Sequence, residues 1–169
     1  GNIDNSYEFS SYEGFGPGRT GVIIEVLTDN KNRAVSSIRT IFQKFGGTLG
    51  ETGSVSYQFE QIGQIKIKKD LMNANDALEL AINAGAEDCV TTDFYHEINC
   101  KKEEFNFVRE KIEKKIKDLS FAGLIWNPLN KVNLDKETFT KIVNFLEQIE
   151  DDDDVQNVFT NFEVDEKLL

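Results

Sequence analysis

The sequence has little of what builds covalent or metal-centred chemistry. Two cysteines and one histidine stand among 169 residues. That excludes a disulfide scaffold, a multi-cysteine zinc site and most histidine-based catalysis. Cys89 and Cys100 read as free thiols in a reducing compartment. No run of about 18 apolar residues occurs, so no membrane-spanning helix is expected. The first twenty residues contain no apolar segment of the signal-peptide kind, and Gly1 is read as starting no such leader. Excess positive charge is also missing. Lys and Arg number 19 against 30 Asp and Glu, a net charge of −11. A chain of that sign repels phosphate at long range.

What is present is enough for a core. Hydrophobic residues make up 39%, with 13 Phe supplying bulk. Charge is uneven along the chain. Residues 1–69 hold eight Lys/Arg and seven Asp/Glu, whereas residues 70–169 hold eleven and twenty-three. Any nucleic-acid contact is therefore expected in the first third, or in chain absent here.

Periodicity divides the chain into strands and helices. Residues 7–12 read as a strand, followed by the glycine-rich turn Gly14–Gly21. The nearly continuous apolar run 22–28 reads as a central strand. Thr28, Asp29 and Asn30 supply capping side chains, Ala34, Val35, Ile38, Ile41, Phe42 and Phe45 recur at helical spacing, and Gly46 and Gly47 end that helix. Alternation of Val55, Tyr57 and Phe59, resumed by Ile65 and Ile67 after Gly63, predicts a hairpin whose apolar side meets the helices. A small helix follows over 73–84, burying Ala77, Leu78, Ala81 and Ile82. Two short strands bracket an acidic turn at 89–100, a longer helix runs from Phe105 to Leu119, and a strand covers 121–126. Asp135 caps a last helix, and 155–164 reads as the last strand. Setting aside 70–132, the order suits a βαββαβ unit. The removed piece completes a second one by borrowing a strand from 64–69. The expected class is α+β: two ferredoxin-like βαββαβ-type domains, residues 1–69 plus 133–169 and an inserted acidic domain 70–132. One continuous mixed sheet of about eight strands is the alternative.

The motifs argue for contact rather than catalysis. Gly16, Gly18 and Gly21 match G-x-G-x-x-G, but a strand follows where dinucleotide binding needs a helix N-terminus. The remaining readings are a turn, or a turn whose Phe15 and Arg19 touch a base and a phosphate. Gly46–Gly53 lacks the Lys-Ser/Thr pair of a phosphate-binding P-loop. Lys31, Arg33, Arg39 and Lys44 form a basic edge on the first helix, either solvated or phosphate-binding. Lys66 and Lys68, with Ser54, Ser56 and Gln58, are placed on the open sheet face, which can bond phosphate but cannot stack bases. Asp151–Asp154 lacks the Gly and distal Glu of a calcium loop and reads as a solvated turn. His96 reads as a lone surface histidine. No catalytic constellation, metal site or cofactor is assigned.

Five stretches then occur in order: Tyr12–Gly18, Thr28–Arg33, Gly46–Gly50 with Gly53–Val55, Ala84–Asp88, and Asp153–Phe159 with Asn161. Together they resemble the YebC family, whose members include bacterial transcriptional regulators and mitochondrial translational activators of cytochrome c oxidase subunit I. The resemblance implies two α+β domains, one inserted in the other, and a basic helical N-terminal domain that is missing here. It implies a non-enzymatic regulator of gene expression, partnered by the ribosome or RNA. The alternatives are a transcriptional regulator reaching DNA through the missing domain, and a protein–protein interaction module. It also implies a mitochondrial or other organellar matrix in a eukaryote, and the cytoplasm in a bacterium. Arg19 stands where the family usually has a small residue, and Phe159-Thr160 where Tyr-His is common.

Overall fold

Three short polar side chains start three helices. In the computed structural model, which describes residues 6–169, Asn30 Oδ1 accepts from the Arg33 N–H, Asn73 Oδ1 from Asp76 and Asp135 Oδ1 from Thr138. Each satisfies a donor that the first helical turn leaves without a partner. The helices are α1 (Lys31–Lys44), α2 (Ala74–Asn83) and α4 (Lys136–Glu150); α3 (Phe105–Glu113) begins without a side-chain cap. The strands are β1 (Glu8–Phe15), β2 (Gly21–Thr28), β3 (Thr48–Leu49), β4 (Phe59–Lys68), β5 (Asp88–Thr91), β6 (Tyr95–Lys101), β7 (Phe121–Pro128), β8 (Val132–Leu134), β9 (Val155–Thr160) and β10 (Phe162–Val164). The reading attached to Gly1 lies outside the described residues.

The chain forms two units, and the class is α+β with the second unit inserted in the first. One unit holds the described residues up to Glu60 together with Asn127–Leu169; the other is Gln61–Trp126. These limits move the expected boundaries of 69/70 and 132/133. The cause is β4, which pairs antiparallel with β6 from Ile62↔Lys101 to Lys68↔Tyr95 and so belongs to the inserted unit. The predicted hairpin over 54–68 does not form. Residues 56–58 make a turn of 3-10 helix, and Tyr57, expected in the core, is 69% exposed. The charge distribution is corrected too. Lys/Arg and Asp/Glu number ten and twelve in Gln61–Trp126, but nine and eighteen in the rest of the chain, so the inserted unit is not the acidic one.

In the first unit the sheet order is β3-β1-β2-β9, antiparallel throughout. In the inserted unit it is β5-β6-β4-β7. The inserted unit follows βαββαβ chain order. In the first unit the sheet strands follow a different chain order: β1 and β2 come before α1, β3 after it, and β9 after α4. A separate parallel pair joins β8 and β10. The single predicted strand over 155–164 is split at Asn161, whose side chain accepts from the Gly21 N–H at 2.7 Å and donates to Gln58 Oε1 at 2.7 Å.

β2 is central because both its faces are covered. Val22, Ile24 and Val26 meet Ala34, Ile38 and Phe42 of α1 and Ile142, Phe145 and Ile149 of α4. Ile23, on the opposite face, is also fully buried. Phe42 and Phe145 pack edge to face with centroids 4.9 Å apart, an arrangement that adds to their area burial. The inserted unit packs Ala81 and Ala84 of the α2 region and Phe105, Val108 and Ile112 of α3 on Ile65, Ile67 and Ile98. Leu78 and Ile82 were expected there but are 41% and 59% exposed. The small residues Ala77 and Ala81 take the buried stripe of α2 instead. α3 ends at Glu113, short of the expected Leu119.

His96 is corrected from surface to core, at 1% exposure. Its Nε2 lies 2.7 Å from the Met72 carbonyl and 3.0 Å from that of Lys69, and its Nδ1 lies 2.8 Å from Thr91 Oγ1. It ties the end of β4 and the start of α2 to β6.

Truncating Phe145 removes the ring shared by both helices of the first unit. Phe145→Ala is expected to lower stability by about 3–5 kcal/mol, read by urea titration monitored by circular dichroism. A loss under about 1 kcal/mol would contradict this packing.

Candidate nucleic-acid interface

Two glycine-rich turns face each other in the first unit. The β1–β2 connection passes through Gly16, Pro17, Gly18 and Arg19, with Gly18 at φ 71° and Arg19 at φ 60°. The Gly16 N–H donates to the Thr20 carbonyl at 2.9 Å and closes the turn. Gly18 sits against α4: a Cβ there would fall 2.6 Å from Leu134 Cδ2 and from Thr138 Cγ2. The second turn ends α1 at Phe45, Gly46 and Gly47. Gly47 passes so close to β1 that a Cβ would lie 2.3 Å from the Phe15 carbonyl oxygen. Between the turns is an open groove of about 430 Å³, lined by Phe15 to Arg19, Phe45 to Thr48, Thr138 and Lys141. Two cations reach it, Arg19 and Lys141. Arg19 has no ion pair among the described residues, and Lys141 acts on Asp135 only through space.

The other predicted contact residues do not converge here. Lys31 Nζ is held by Glu8 at 2.9 Å. The Arg33 guanidinium grips Asp154 with two hydrogen bonds, 3.1 and 2.8 Å, and Asp29 with a third at 3.0 Å. Lys44 donates to Gln148 Oε1 and lies 5.7 Å from the Phe45 ring centre. Arg39 stays exposed on α1 and has no ion pair among the described residues. Lys66 and Lys68 belong to β4 in the inserted unit. Lys66 lies 3.7 Å from Glu97 and 5.3 Å from the Tyr95 ring centre. Of the eight predicted residues, the groove gathers Phe15 and Arg19, and it adds Lys141. The missed signal was the helical face of α4, on which Thr138 and Lys141 stand three residues apart.

The acidic run is likewise not simply solvated. Asp154 is nearly buried and takes Arg33, while Asp152 Oδ2 accepts from Ser37 Oγ at 2.6 Å. The Arg33 hydrogen bonds pull the Asp154 carboxyl below its usual range, against the opposing effect of burial. The same pair raises the pKa of Arg33. Glu13 is buried at the foot of β1. Its Oε1 accepts from the N–H groups of Val55 and Ser56 and its Oε2 from that of Gly53, at 2.7–3.0 Å. Burial pushes this carboxyl up, but the three backbone donors together outweigh burial and hold it below the ordinary value.

The motif residues with buried bonds thus hold the frame: Glu13 with Gly53–Ser56, Arg33 with Asp154, and Asn161 with Gly21. An α+β pair of units, one inserted in the other, with these contacts all inside the first, defines a class of two-domain protein. The family description "TACO1/YebC second and third domain" matches residues 7–162. The chain belongs to the TACO1/YebC family. It is 46% identical over 160 residues to a Pelagibacter ubique (strain HTCC1062) protein named "Probable transcriptional regulatory protein SAR11_0592". That match covers 95% of this chain and 66% of the relative, so the chain spans just under two thirds of its length. A crystal structure of a conserved hypothetical protein, Aq1575 from Aquifex aeolicus, superposes with a TM-score of 0.92 at 38% identity. It covers 100% of this chain and 70% of that one.

Because Glu13, Asp135 and Asp154 all have lowered pKa values in the folded state, their contribution is present above the unfolded carboxylate values. It is lost as pH falls through the folded ones. Stability should therefore fall on acidification below about pH 4.5. Glu13→Gln turns one acceptor into a donor facing N–H groups, and is expected to cost roughly 1–3 kcal/mol at neutral pH while making the acid limb shallower. Urea midpoints at neutral and acidic pH read both effects. An acid limb as steep as the parent's would remove Glu13 from this account.

Proposed function

We propose that this chain is the docking portion of a non-enzymatic regulator of gene expression that acts on ribosome-bound RNA. The observation carrying this reading is the Arg19–Lys141 groove. It offers two cations, polar glycine-rich walls and the half-exposed ring of Phe15 within one open site. A phosphate of a single strand can sit between the cations while a neighbouring base meets the ring. Duplex tracking needs a row of unpaired cations at phosphate spacing. The basic edge of α1 does not offer one, because Lys31 and Arg33 are occupied by carboxylates. The family supports a role in gene expression, and the bacterial relative supports a cytoplasmic setting. The relative's printed name favours a second reading, a transcriptional regulator that recognises DNA. On that reading, recognition rests on a basic domain outside this chain.

The test is an amide NMR titration of the chain with oligouridine and with a duplex DNA of equal length. Shifts at Arg19, Gly46–Thr48 and Lys141 are expected with RNA, and only weak effects with the duplex. Arg19→Ala combined with Lys141→Ala should weaken RNA binding about 3–10-fold and reduce the log–log salt slope by roughly one to two. Arg33→Ala should lower the melting temperature with no selective loss of RNA. RNA shifts that ignore the groove, or survive the double variant, would remove it as the contact site. Tight, salt-dependent duplex binding would favour the second reading.

A further inference from the structure

In the inserted unit, three lysines converge on an apolar floor. Lys111, Lys114 and Lys115 stand on α3 and its C-terminal turn. They line a groove with Leu80, Asn83 and Ala84 of the α2 end, about 190 Å³ in volume. Spacings of three and four residues put the lysines beside the buried stripe Phe105, Val108 and Ile112. None of the three has an ion pair among the described residues, although the helix carries carboxylates. Glu113 is taken by Arg109 instead. The Lys111 ammonium lies 5.1 Å from the centre of the Phe107 ring, which is 56% exposed. Cations near a helix C-terminus are favoured by its dipole. The dipole accounts for lysines at that end but not for their convergence on Leu80 and Ala84.

We infer that this groove binds an acidic protein segment that seats one bulky apolar side chain on Leu80 and Ala84 and sets carboxylates against Lys111, Lys114 and Lys115. Charge complementarity selects the sign of the partner. Uncompensated ammonium groups around one depression repel each other, and an anionic partner relieves this. Size selects its form. The volume is below the roughly 300–1,000 Å³ of small-ligand sites and suits a single anchoring side chain. A peptide is favoured over RNA because the floor is aliphatic and Lys111 already lies over Phe107, the ring a base would stack on. This surface is independent of the Arg19–Lys141 groove, so either can fail alone.

The test is selection of a random peptide library displayed on phage against the intact chain. Selected peptides are expected to be rich in Asp and Glu around one Leu, Ile, Phe or Trp. Lys111→Gln, Lys114→Gln and Lys115→Gln together should weaken their binding about tenfold or more, with the melting temperature unchanged. Replacing the anchor residue by Ser should do the same. Lys101→Gln with Lys102→Gln should change it less than about twofold. A selected pool without acidic bias, or equal binding to the triple variant, would overturn the inference. So would oligouridine binding at these lysines when no acidic peptide is enriched.

Discussion

Glu13 is a carboxylate placed inside a sheet protein, where an unpaired charge would be strongly destabilising. It is tolerated because three backbone N–H groups, those of Gly53, Val55 and Ser56, converge on its two oxygens. Those donors are thereby withdrawn from any strand ladder. The segment that alternates like a strand in the sequence becomes a turn, Tyr57 moves to the surface, and the next strand starts at Phe59. That strand pairs with β6. The point at which the inserted unit begins therefore follows from where one buried acid finds its partners.

Arg33–Asp154 and Asn161 act in the same way elsewhere in the first unit. Arg33 links the start of α1 to the turn before β9 through two parallel hydrogen bonds, a geometry that a lysine could not reproduce. Asn161 ends β9, allows β10 to pair with β8, and supplies the acceptor for Gly21. Recurring signature residues in a regulatory family invite a contact role. In this chain these three are occupied by each other's neighbourhood, and the open chemistry lies beside them, at Arg19 and Lys141.

Charge follows the same logic. An acidic total hides two different surfaces. The first unit carries most of the excess acid, and its Lys31 and Arg33 are held by carboxylates. The inserted unit is nearly balanced, and three of its lysines without an ion pair among the described residues line one groove beside α3. Net charge governs long-range encounter. Local unpaired charge governs which partner can dock.

Much of the local structure was legible in the chain itself. The caps Asn30 and Asp135, the positive-φ stop at Gly46, and the helical stripes of α1 and α4 depend on neighbours within a few residues. So does the buried run of β2, and the split α+β order could be read from the succession of these elements. What the chain could not show is which long-range partner each polar group finds. Alternation over 54–59 is equally good for a strand until Glu13, forty residues away, claims its N–H groups. His96 looks solvent-facing until Met72 and Lys69 present carbonyls to it. The basic edge of α1 looks free until Glu8 and Asp154 arrive. Propensity is a sum over adjacent residues, whereas the satisfaction of buried polar groups and the pairing of charges are set by residues that only the folded chain brings together.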